Sequence, residues 1–179
     1  MNSSLRKLDE REIAIHIIYF TSDENDYMGE TVDEYCKSDQ RLLDYRAKML
    51  DELKWVAYAC GLMVVIVRSP DIIANVIEQL VSVSNEIDNH NKGSTPFSMA
   101  NLKHGHPMML KYLKAFMEAF AAEEEYIPQA VLNMGEVYSR EVFGGAPKSG
   151  TIIDKYTHEV NYYFLKKFND RFKDFAFVK

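Results

Sequence analysis

His104, Gly105 and His106 head the stretch NLKHGHPMMLKYLKAFMEAFAAEEE, residues 101–125, and two imidazoles this close invite a metal ion. Zinc-type chemistry needs a third donor and usually a fourth. The other histidines, His16, His90 and His158, share no close spacing with the pair. The same residues have a plainer use. Gly105 suits the left-handed turn that ends a helix, and Pro107 suits the first position of the next one. His104 then closes one helix at the negative end of its dipole, and His106 stands at the junction. Punctuation is the expected role; His104 and His106 remain the only candidate metal pair, and no cofactor is expected.

Other tempting stretches fail on spacing. TSDENDYMGE has the composition of a calcium loop. Counted from Asp23, however, the sixth position is Met28 rather than glycine; counted from Glu24, Tyr35 stands where a bidentate glutamate is required. FGGAPKSGT contains Lys148-Ser149, but Pro147 precedes the lysine and Gly150 follows the serine, which is not the Gly-Lys-Ser/Thr order of a phosphate loop. Glu123, Glu124 and Glu125 are adjacent, and neighbours on a helix diverge, so they form no acid–base pair. The chain has no Glu-x-x-His pair of the diiron bundles and no nucleophile elbow. An enzyme is the less favoured reading; its polar candidates are His104, His106, His158 and Glu159.

The C-terminal segment carries the strongest pattern. Ile152, Tyr156, Val160, Phe164, Phe168 and Phe172 recur every four residues. Such a stripe drifts by about 40° per step, so it winds around the helix. One partner helix cannot cover it: the helix must lie centrally in a bundle or meet another chain. Tyr156, Phe164, Phe168 and Phe172 are therefore the candidate interface residues. Burial of Phe164 and Phe168 is expected in either case. The segment 151–179 also holds six Lys or Arg against four Asp or Glu, whereas 21–54 holds five against ten. Lys166, Lys167, Arg171 and Lys173 alternate with the phenylalanines, a mixture that a single nucleic-acid strand could use.

What must position these residues is helical. The chain has 179 residues, 47% of them hydrophobic, with a net charge of −6, five prolines and eight glycines. That supports a core, favours solubility, and provides too few turn residues for an all-β fold. Cys36 and Cys60 form no disulfide framework or zinc motif, and the charged N-terminus lacks a signal-peptide core. A reducing, cytoplasmic setting is expected. WVAYACGLMVVIV, residues 55–67, is too short to span a bilayer and reads as buried core. Its end, LMVVIV, is read as helix, with a buried strand as the alternative.

Periodicity predicts a first helix over 4–20, an acidic loop near 21–30, and one long or two shorter helices over 31–67, with Ser38 able to cap the second. Ser69 and Pro70 open a helix to about Glu86. A loop follows near 87–95, then a short helix from Thr95-Pro96 to Gly105. The next helix starts at Pro107, with Lys114 and Glu118 able to pair across a turn. A further helix runs from the break at Tyr126-Ile127-Pro128 to about Phe143. A linker follows at 144–150, and the last helix starts at Thr151, with Asp154 completing a capping box. The fold class is an all-α, single-domain bundle of six to seven helices with a long aromatic C-terminal helix. The function expected is a helical interaction or assembly protein that binds another protein or itself, with nucleic-acid binding and a small-molecule or metal-dependent enzyme as alternatives.

Overall fold

A computed structural model describes residues 5–91, 99–122, 126–146 and 148–178; of 88–91, 99–106, 122 and 126 it describes only the backbone. The described chain is an all-α bundle. Its helices are α1 (Glu10–Ser38), α2 (Arg46–Arg68), α3 (Ile73–Asn91), α4 (Met99–Ala122), α5 (Tyr126–Phe143) and α6 (Ile152–Phe172). Two short strands, β1 (Arg6–Leu8) and β2 (Phe175–Phe177), pair in parallel with Arg6 opposite Phe175 and Leu8 opposite Phe177. They bring the two ends of the described chain together. No helix among the described residues is long and apolar enough to cross a membrane.

The expected first helix is displaced and much longer. Residues 6–8 are strand, and Asp9 caps α1 in a reciprocal box: Glu12 N–H donates to Asp9 Oδ1 at 2.8 Å and Asp9 N–H to Glu12 Oε2 at 3.1 Å. The helix then passes through the acidic stretch expected to be a loop. Ile17, Thr21, Met28, Val32 and Cys36 are all buried at helical spacing. Thr21, an inward polar residue, and Asn25, whose Oδ1 is buried, interrupt the apolar stripe in the sequence and hide its continuity. Outside, Tyr27 stacks on Tyr163 with centroids 5.4 Å apart, and the Tyr163 hydroxyl donates to Glu24.

The break between α1 and α2 falls where two helices were one of the alternatives. Asp39 rather than Ser38 does the capping: its carboxylate accepts from Arg41 N–H at 3.0 Å and opens a 3-10 turn, Gln40–Tyr45. α2 is the central helix, with every residue from Trp55 to Val65 buried. A helix that is apolar all round belongs in the interior, and LMVVIV is helix, as favoured. Gly61 permits the tightest approach: a Cβ there would lie 3.0 Å from both Ile17 Cγ1 of α1 and Phe168 Cε1 of α6.

Ser69 does not cap α3. Its hydroxyl donates to the Arg68 carbonyl at 2.8 Å, and Pro70–Ile72 form a 3-10 turn before α3 begins. α3 extends to Asn91, so the start of the expected 87–95 loop is helical; its remainder and Thr95-Pro96 lie outside the described residues. α4 runs without a break through His104, Gly105, His106 and Pro107. The punctuation expected there is absent. A proline removes one hydrogen bond and crowds the preceding turn, and a helix can carry it without ending. The remaining boundaries stand: α5 spans Tyr126–Phe143, and Gly144 and Gly150 bracket the linker with φ of 79° and 75°. Thr151 caps α6 by accepting from Asp154 N–H at 3.2 Å. The reciprocal arm from Asp154 reaches Gly150 N–H at 2.9 Å, one residue short of a capping box.

Candidate functional site

The residues singled out in α6 go to different places. Tyr156, Phe164, Phe168 and Phe172 are fully buried, covered by α1, α2 and α5 of the same chain. Phe164 and Phe168 are inaccessible, as the winding stripe requires. A partner meeting the folded chain does not reach any of the four, and no base can stack on the three phenylalanines.

Three of the four basic residues are also engaged locally. Lys166 pairs with Asp170 at 2.6 Å, Lys167 lies 5.2 Å over the Tyr163 ring, and Arg171 lies 5.6 Å over Phe20. On a helix Lys166 and Lys173 share one face, while Lys167 and Arg171 share another. They form no single basic strip. His158 stacks on Tyr162, whereas Glu159 accepts from the Tyr35 hydroxyl, so these two face different neighbours. The side chains of His104 and His106 lie outside the described residues. Among the described residues no three His, Cys, Asp or Glu side chains come together in a way that could hold a metal.

Beneath these lies a polar thread through the core. The Tyr138 hydroxyl lies 2.9 Å from both the Met49 carbonyl and the Tyr156 hydroxyl. Burial pushes both phenols above the ordinary tyrosine range, which keeps them neutral and available as donors. Tyr112 donates to Glu52 at 2.7 Å. Burial holds the Glu52 carboxyl above the usual carboxylate range, although the Tyr112 bond works in the other direction. Burial likewise pushes up the Cys60 thiol, so Cys60 is core rather than a nucleophile.

The surface feature best formed for binding is an open groove where α2, α4, α5 and α6 meet. Its floor is Met63, Val64, Phe116 and Leu165, all buried. Its walls are Val67, Ile127 and Tyr162, which are 38%, 44% and 49% exposed. Phe120, also partly exposed, stacks on Phe116 at 5.8 Å and continues the apolar strip along α4. Arg68, Lys166 and Asn169 complete the lining, which contains no carboxylate among the described residues. Arg68 is anchored: its guanidinium donates to the carbonyls of Phe172 and Lys173 at the negative end of α6. Of the groove residues, reading the sequence had singled out only Lys166 as a site residue. Ile127 and Tyr162 are outward positions of amphipathic helices, Val67 lies at the exposed end of α2, and only packing brings them together.

No protein-family model, no curated protein and no solved structure matches this chain.

Proposed function

We propose that the chain is a non-enzymatic interaction protein whose groove receives an amphipathic helix of another protein, with apolar anchors on the inner face and acidic residues beside them. The carrying observation is the co-location of Val67, Ile127 and Tyr162 above a buried apolar floor. Isolated exposed apolar residues are ordinary on any protein, but a contiguous apolar depression marks an interaction site. A groove between helices fits a helix laid along it. Charge supports the acidic partner: among the described residues the lining holds Arg68 and Lys166 and no carboxylate, on a chain whose net charge is −6. Asp170 tempers Lys166, yet both cations stay exposed at the rim.

The test places a photo-crosslinking residue at Tyr162 in the producing cells, then titrates the captured partner after purification. Ile127→Glu puts a carboxylate in the groove wall and is expected to weaken binding roughly tenfold or more. Leu43→Glu, at an exposed position on the turn before α2, is the control and is expected to leave affinity unchanged. Equal affinity for wild type and Ile127→Glu would overturn the reading, and so would a partner whose contact segment is basic. Sedimentation of the wild-type chain covers the remaining occupant: a dimer that Ile127→Glu dissociates would replace the foreign helix with a second copy.

A further inference from the structure

Independently of the groove, the geometry points to a second site towards the opposite ends of the same helices: a cleft between α2, α4 and α5 that binds a small primary alkylammonium, with Glu52 as its anionic anchor. The cleft is open to solvent and is lined by Glu52 together with Trp55, Met108 and Val142 as apolar wall. Glu52 is 8% exposed. Its Oε1 accepts from Tyr112, whereas Oε2 has no hydrogen-bond partner among the described residues and is not sealed from the cleft.

Charged groups from three helices surround Glu52. From α2 come Lys48, Asp51 and Lys54; from α4 come Lys111 and the Tyr112 hydroxyl; from α5 comes Glu141. Asp51 is paired with Lys54, and Glu141 with Lys111. Glu52 has no ion pair among the described residues. Burial acts first on its carboxyl and favours the protonated form, as do Glu141 and Asp51; the Tyr112 hydrogen bond and Lys111 favour the carboxylate. Lys48, one turn before Glu52 on α2, lines the cleft without an ion pair to it among the described residues, so Oε2 is the carboxylate oxygen left to face an entering cation. A cation entering the cleft pairs with Oε2, while a short alkyl tail lies on Met108, Val142 and Trp55. A metal ion does not fit as well, because the neighbouring carboxylates already have their lysines. Lys54 also covers the Trp55 face, 5.0 Å from the ring, so the ligand's charge goes to Glu52 and not to the indole.

Trp55 is the chain's single tryptophan, so its fluorescence reports on this cleft alone. Titration of the full chain with n-butylammonium is expected to give a saturable change below roughly 10 mM, and n-butanol, the uncharged isostere, none. Because the cation binds the ionised carboxylate, affinity should rise with pH until Glu52 has lost its proton. Glu52→Gln keeps shape and hydrogen bonding and removes the charge; its circular dichroism melt establishes folding, and it should abolish both the response and its pH dependence. Tyr112→Phe, which leaves the carboxylate in place, should retain a saturable response. The site is overturned by no saturation in the wild type, by an equal response to n-butanol, or by a folded Glu52→Gln that responds as the wild type does.

Discussion

A single missing methyl group sets how closely the central helix meets its neighbours. At Gly61 a Cβ would lie 3.0 Å from atoms of both Ile17 and Phe168, and those two side chains are fully buried. Neither can move aside, so added volume becomes strain. Gly135 in α5 looks equivalent in the sequence but is not: the nearest atom to its Cβ would be Thr157 Oγ1 at 3.7 Å. Opposite outcomes follow from the same chemistry. Gly61→Val should destabilise the chain by about 3 kcal/mol or more, whereas Gly135→Ala should stabilise it by up to about 1 kcal/mol through helix propensity. Urea unfolding of both variants checks the pair; equal effects at the two sites would refute the packing around α2.

At the scale of elements, the two ends of the described chain are held by a clasp. β1 pairs with β2, and Val178 N–H extends the pairing to the Leu8 carbonyl at 2.9 Å. Arg6 lies 5.9 Å over Phe175, and Arg68 lies 5.2 Å over Phe177. His16 of α1 fills the space behind, with its ring 6.1 Å from Phe172 and 5.4 Å from Phe175. Arg171 Nη2 lies 3.4 Å from His16 Nδ1, a contact that requires the unprotonated nitrogen. Burial, then Arg171 from α6 and Arg6 from β1, hold the imidazole below its ordinary range; Glu12 of α1 opposes them. The folded state therefore resists a proton that the unfolded state accepts. Stability is full above the ordinary histidine range and falls as the pH drops below it, levelling once the folded His16 is protonated. Thermal melts between about pH 7 and about pH 5 should show a shallower decline for His16→Gln than for the wild type. Parallel declines would show that His16 is not the titrating group.

Across the whole molecule, the winding stripe of α6 is answered within one chain. Phe164 and Phe168 are covered by α1, α2 and α5, and Phe168 meets Phe20 edge-on at 4.9 Å. Phe168→Ala should therefore cost roughly 3–5 kcal/mol, which for a chain of this length lowers the melting temperature by about 2–4 °C per kcal/mol. Light scattering should show the same mass for variant and wild type. Release of folded subunits with an unchanged melt would instead place Phe168 at a contact between chains. Association, where it occurs, uses the surface that remains apolar after folding, and the groove around Ile127 and Tyr162 is the best-formed part of it.

Periodicity by itself established the helical class and the inaccessibility of Phe164 and Phe168, because each is a local consequence of spacing apolar side chains at 3.6 residues per turn; of the run 55–67 expected to be core, 55–65 is buried, whereas Val67 is exposed at the end of α2. The boundary at Thr151 was legible for the same kind of reason, a hydroxyl next to the backbone donors it caps. Tertiary structure decided what local chemistry left open. α1 continues through its acidic stretch because Thr21 and Met28 face the core beneath it. α4 continues through Gly105-Pro107, where glycine and proline signal a break that they do not enforce. β1 and β2 exist only because the chain's ends meet, since three-residue strands have no periodicity to read. The groove and the Glu52 cleft belong to the same class. Their residues come from helices far apart in sequence, and what makes Val67, Ile127 and Tyr162 a surface, or Glu52 an enclosed charge, is the company that packing gives them.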